Sequence, residues 1–452
     1  MKTLLRRLLF ILLGLAGLAA LFYAEEDLRG WRAWENCKAG LEARGAVLDW
    51  DKYIPPAVPD DQNFFKASKM TEWFVKGHDG TELQNLLQNS NTFSVITTET
   101  AASNYLAWSD RLQPDFDLIR DALKRPYARM DGDYSKPFEQ PIPNFISVRV
   151  LAQVLEQRAK CHLRLGQPER ALDDLTLLND SRRPLEAAPT GKPMTLVAAM
   201  INVAVTGLYA DTIAGGLQMH AWQEPQLAAL QNQLAEINLT PFVFGGLQEE
   251  PVGLCRTAEI VWIQKMVDMT GNMKWSDKVR WWLWPRGWTY QNMVNIAVFG
   301  QKPLEGFDLA HDTVAPRKFE EVSREADKFF WHSRSPYKIL AAAVSNFIKA
   351  EQTTAHNQTM VNEAQLACAL ERYRLAHGEY PGTLDALVPQ FIEKLPRDII
   401  GGAPLIYRPT ADGKFLLYSV GWNEKDDGGQ QEMPQTKNGT VDFTKGDWVW
   451  KN

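Results

Sequence analysis

The sequence has no closely spaced cysteines. Cys37, Cys161, Cys255 and Cys368 are its only four in 452 residues, and none belongs to a C-x-x-C pair. That spacing removes the redox-motif reading and leaves two others. The four are buried thiols behaving as small hydrophobes, or some join in a disulfide, which an extracytoplasmic setting permits. An excess of basic charge is also missing: 49 Lys and Arg face 55 Asp and Glu, a formal net charge of -6. A nucleic-acid binder normally carries a basic patch, so that class is excluded as a partner. Histidine is scarce. The seven, at positions 78, 162, 220, 311, 332, 356 and 377, include no i, i+4 pair of the kind that holds a metal on a helix. No H-E-x-x-H, G-x-S-x-G, Walker loop or G-x-G-x-x-G is present. Ser335-Pro-Tyr-Lys338 has the form S-x-x-K but lacks the S-x-N and K-T-G partners, so it is a chance match. A site built from dispersed residues stays open; a motif-borne one does not.

What the chain does contain is aromatic and apolar. Sixteen tryptophans argue for a packed body rather than a disordered one. Lys2, Arg6 and Arg7 precede an uncharged apolar run from Leu8 to Ala24, and Glu25, Glu26 and Asp27 follow at once. As a helix the run is roughly 25 Å long, the short end of what a bilayer needs. Basic charge before it and acidic charge after it predict a cytoplasmic tail (1–7), a single-pass anchor (8–24) in the inner cell membrane, and the bulk of the chain on the exported, periplasmic side. The competing reading is a signal peptide cleaved after Ala19, which would leave Ala-Leu-Phe-Tyr as a new apolar end.

Beyond the anchor, Leu28, Trp31, Trp34, Cys37 and Leu41 recur at spacings of three and four, predicting a helix over 27–44 that ends near Gly45. Tyr53 to Phe65 is Pro-rich and reads as an extended arm, and 71–134 as short helices and loops. From Ile146 to Leu178, Leu155, Ala159, His162, Gly166, Ala171 and Leu175 resemble one tetratricopeptide helix pair. No second copy follows, so the reading is a helical hairpin inside a larger α-helical domain (25–335). Thr195 to Leu217 is apolar nearly all round and reads as a buried core helix. Helices are also expected over 224–237 and 249–267. Trp281, Trp282, Trp284 and Trp288 lie among Lys278, Arg280 and Arg286, which fits either a membrane-interface patch or a Trp-rich elbow broken at Pro285 and Gly287. Residues 300–336 read as a charged, Pro-interrupted excursion before a second unit.

That unit (336–452) opens with a helix expected from about Pro336 to Ala376, with a break near His356. Gly378 stands where a helix end needs a left-handed residue, and Thr383 can cap a short helix at 384–388. Leu395-Pro396-Arg397-Asp398 leads to a strand at 405–408, Asp412-Gly413 makes the turn, and Phe415 to Val420 returns. The acidic, Gly-rich segment Asn423 to Gly429 follows. This order resembles the C-terminal globular part of the major pseudopilins of type II secretion, although the chain has no prepilin leader before its apolar run. The resemblance implies an α+β module with a helix laid on an antiparallel sheet. It also implies calcium in the loop after Ser419-Val420-Gly421, with Asn423, Asp426 and Asp427 as ligands; Asn423 stands where the family has Asp. A solvated acidic turn is the other reading. The whole layout further resembles uncharacterised envelope proteins of planctomycete and verrucomicrobial type, which brings no activity with it.

The expected class is therefore mainly α, with an N-terminal transmembrane helix, an irregular helical body and a small α+β tail. The expected function is a binding or assembly protein of the envelope, beside secretion or pilus-like proteins. Two alternatives are an envelope hydrolase, marked by a pocket with two convergent carboxylates of raised pKa, and a peptide-binding adaptor using the helical hairpin.

Overall fold

A computed structural model describes residues 2–77, 83, 85, 96–186, 195–260, 283–331, 335–341, 347–430 and 442–451. The apolar run does not stop at the acidic triplet. Helix α1 (Lys2–Glu42) carries it without a break into the segment expected to be helical beyond it. The Pro-rich arm then forms short 3-10 turns at Trp50–Lys52, Asp60–Gln62 and Phe64–Lys66, because proline keeps longer helices from propagating. Short helices α2 (Met70–Phe74), α3 (Glu99–Ser109) and α4 (Gln113–Ala122) follow.

The predicted hairpin is α5 (Phe145–Arg164) and α6 (Pro168–Asp180). Asn144 starts it by accepting from Ser147 N–H at 3.3 Å. Ala159 and Ala171, both fully buried, let the two helices approach. Against them lie α7 (Leu196–Gln218), the all-round apolar helix, and α8 (Glu224–Ala235). Helix α9 (Thr240–Ile260) begins nine residues before the expected start at Glu249 and carries Pro251 inside it. The remainder of its expected span, 261–267, lies outside the described residues.

Residues 300–336 are no excursion. Helix α10 (Arg286–Gln301) starts directly after Pro285, the antiparallel pair β1 (Phe307–Asp308) and β2 (Thr313–Val314) follows, and α11 (Pro316–Trp331) completes the region. Helix α12 (Ile348–His377) starts twelve residues after Pro336 and runs through His356 unbroken; Gly378 closes it at φ 85°. The sheet is antiparallel in the order β3 (Ile406–Pro409), β4 (Phe415–Ser419), β5 (Trp448–Val449), with Tyr407 opposite Leu417 and Ser419 opposite Trp448.

The boundary expected between 335 and 336 does not divide the core. One buried cluster runs from Phe64 through Leu151, Leu175, Tyr209 and Leu230 to Leu366, Leu417 and Trp450. Polar staples reinforce the union. Gln358 of α12 accepts from Leu239 N–H at 2.8 Å and donates to Ile237 O at 3.2 Å, and Gln231 of α8 donates to Phe391 O at 2.8 Å. These buried amides satisfy backbone groups that would otherwise be orphaned between units.

Candidate functional site

Among the described residues, the places that carry polar chemistry include the foot of the body, a charged cleft on the helical hairpin, and the acidic loop near the C-terminus.

At the foot, α1 crosses α10. A Cβ on Gly30 would lie 2.2 Å from Gly287 O, and one on Gly287 would lie 1.9 Å from Glu26 O. Only two glycines permit backbones this close. The crossing brings Glu26, two residues past the apolar run, into a buried position. Its carboxylate accepts from Arg29 Nη2 at 2.5 Å, from the Trp288 indole at 3.0 Å and from the Tyr337 hydroxyl at 3.1 Å. A buried carboxylate needs this saturation, since an unpaired one costs several kcal/mol. Asp27 accepts from Gly287 N–H at 2.7 Å and so caps the start of α10 from another helix. Trp284 meets Trp288 edge to face at 5.1 Å, and Trp288 meets Tyr337 at 6.1 Å. The docking stripe of α1 continues through buried Trp34 and Leu41. Its outer side keeps Leu28 and Trp31 exposed, and Leu283 and Ile339 are exposed on the segments it touches. Of the four tryptophans singled out in the sequence, Trp284 and Trp288 belong to this junction; Trp281 and Trp282, with Lys278 and Arg280, lie outside the described residues.

The charged cleft, about 530 Å³, opens between α4, α5 and α6. Buried Arg158 is its floor. Its Nε donates to both oxygens of Asp174 at 3.1 and 3.2 Å, and its Nη1 donates to Ser109 Oγ at 2.7 Å and Asp110 Oδ1 at 2.9 Å. Burial pushes Asp174 up to about 6 even against the pull of Arg158. Burial also raises Asp180, against Arg183 and Arg182, and lowers His162, whose Nδ1 faces Gln167 Oε1 at 2.9 Å. Arg120, Arg170 and Asp173 complete the rim. The cleft can therefore hold a neutral His162 beside carboxyl groups that take up protons more readily than usual. The hairpin was visible in the sequence. Arg158 and Asp174 were not singled out, although a lone Arg on an otherwise apolar helix face facing an Asp one helix on was a usable signal.

At the acidic loop the three residues implied as calcium ligands are engaged with protein donors. Asn423 turns its amide nitrogen to Asp427 Oδ2 at 2.8 Å and its oxygen to Lys425 N–H at 3.0 Å. Asp426 accepts from the Tyr418 hydroxyl at 3.0 Å and from Gly428 N–H at 2.9 Å. The residue that organises the loop is Asp447, which sequence reasoning missed. Buried beside β5, it accepts from Asp427 N–H at 3.1 Å and Gly429 N–H at 2.7 Å. Among the described residues no three His, Cys, Asp or Glu side chains converge as a metal site. Calcium needs six to eight oxygens around one point. This arrangement, which presents an amide N–H where an oxygen is required, does not fit it. Lys425, Asp426, Asp427 and Gly428 are exposed, as in a solvated turn, while Gly429 lies against Leu416 and Tyr418.

The four cysteines are free thiols; Cys161, Cys255 and Cys368 are buried and Cys37 is half-buried. No protein-family model matches the chain, and no curated protein or solved structure matches it either.

Proposed function

We propose that this is a membrane-anchored binding or assembly protein of the cell envelope, with its body on the exported side and secretion or pilus-like proteins as partners. The observation that carries the reading is the foot of the body. The apolar stretch of α1 is unburied, as a membrane span should be, while the same helix, one turn later, is built into the fold through Glu26, Gly30 and Gly287. The exposed Leu28, Trp31, Leu283 and Ile339 around that exit suit the headgroup zone. The α5–α6 hairpin supports a tetratricopeptide-like protein-binding role. The sheet with α12 beside it supports a pilin-like tail. The test is affinity capture of the full chain from detergent-solubilised membranes of its native host, followed by mass spectrometry. Secretion or pilus components at near-stoichiometric levels are expected. Recovery of the chain alone overturns the assembly part of the reading.

The charged cleft favours a second reading, hydrolysis of an envelope polymer, because Asp174 and Asp180, both raised, line one cavity. Turnover of cell-wall glycan or peptide fragments that falls at least a hundredfold in Asp180→Asn would establish it; no turnover by the unaltered chain removes it.

A further inference from the structure

A second cavity, about 470 Å³, lies on the flank of α7, walled by the start of α5, by α9 and by the start of α12. Phe145, Leu196, Met200, Ile201 and Phe347 form most of its surface. The stripe Val197, Met200, Ile201, Ala204 and Leu208 explains an oddity of α7. That helix is apolar on every side, yet only 61% of its most apolar window is buried. This flank faces the cavity instead of a neighbour. Its mouth is open, with Phe145 and Val197 each over 40% exposed. Such walls give water too few partners to be held there, and the volume is at the lower end of the roughly 300–1,000 Å³ typical of ligand pockets.

Two charged residues line it, Arg149 and Glu250. Among the described residues neither has an ion pair or a side-chain hydrogen bond, unlike Arg158, Arg182, Arg372 and Arg374, which all do. An unpaired guanidinium at the edge of an apolar cavity suits a planar, two-oxygen anion at the end of an apolar body. Burial also raises Glu250, which weakens its repulsion of such a head.

We infer that this cavity binds a single long-chain carboxylate, a free fatty acid, with the chain along the α7 stripe and the carboxylate on Arg149. The inference rests on the membrane-anchored reading for the source of the chain, since a bilayer holds such amphiphiles at high local concentration.

The test uses the full chain in phosphatidylcholine nanodiscs with palmitic acid carrying a diazirine in its tail. After photolysis, peptide mapping is expected to place the label on the Leu196–Leu208 stretch and around Phe145. Arg149→Glu, an exposed change that leaves folding intact, is expected to cut that labelling at least tenfold. Met200→Trp, which fills the cavity, is expected to abolish it with the thermal midpoint retained. The methyl ester of the same probe is expected to label at least tenfold less. Labelling confined to residues 8–24, or labelling of α7 indifferent to Arg149→Glu and to esterification, overturns the proposal. Flotation of the unlabelled chain with liposomes is scored separately. Labelled α7 without flotation sinks the anchored reading and leaves the cavity standing, whereas flotation without labelled α7 does the reverse.

Discussion

Buried carboxyl groups on α9 and α12 set how the fold responds to pH. Glu351 is buried with no cationic partner among the described residues, and burial pushes it up to about 8; burial also pushes Glu249 up to about 7, against the hydrogen bond from Gln140. A pKa raised on folding favours the protonated native state. Its contribution is fully present below the unfolded value, near 4.5, and is lost as pH rises through the folded one. The chain is therefore expected to lose stability between about pH 5 and pH 8, by on the order of a few kcal/mol from these groups. Glu351→Gln should flatten that slope and stabilise the protein on the alkaline side. Denaturation midpoints measured across the range check both, and an unchanged slope would refute the assignment. Asp447 offers a second check. Replacing it with Ala orphans two loop amides and is expected to cost about 1–3 kcal/mol. Millimolar calcium is expected to move the thermal midpoint no more than equal magnesium does. A calcium-specific rise would show that the loop reorganises around the ion.

Among elements, those with a strong local period were the legible ones. The spacing of small and apolar residues located α5 and α6, the all-round apolar run located α7, Gly378 marked the end of α12, and Asp412-Gly413 marked the turn between β3 and β4, where Gly413 takes φ 77°. Misread elements are those decided by tertiary contact. Gly245, Gly246 and Pro251 look like breakers, yet α9 passes through all three because Gly246 lets the start of α7 come close and Pro251 lies against Gly300 of α10. A break in α12 was expected near His356. The ring instead packs on Phe443 at 4.3 Å, tilted by 38°, and burial lowers its pKa to about 4, so the helix gains a contact there. Strand β5 is two residues long and had no alternation to detect. In the candidate cleft, the helix pair was readable but the ion pair across it was not, because Arg158 and Asp174 are 16 residues apart in the chain. Arg158→Met alone is expected to cost about 3–5 kcal/mol by stranding Asp174, and Arg158→Met with Asp174→Leu to recover much of it. Equal losses in the single and double variants would mean the pair is not the source of the effect.

For the molecule as a whole, the apolar N-terminal helix and the body are joined as one piece. Gly287→Leu would force backbone apart at the α1–α10 crossing, and a cost of at least about 1–3 kcal/mol is expected, localised to the foot. Limited proteolysis of the nanodisc-embedded variant should then cut near 42–50 while the rest of the body stays resistant; uniform resistance would show that the crossing tolerates the side chain.

The distances along the chain between Glu26 and its partners impose an order on biosynthesis. Glu26 leaves the ribosome early, but Trp288 is 262 residues further on and Tyr337 is 311. Through most of translation Glu26 therefore lacks these partners, and the glycine groove of α1 is empty. The larger core contains no part of α1, and it is completed later still, because Leu366, Leu417 and Trp450 all follow Tyr337 in the chain. The partners of Glu26 are thus all in place before the last core residues are made, and closing the foot fixes the direction in which the apolar helix leaves the body.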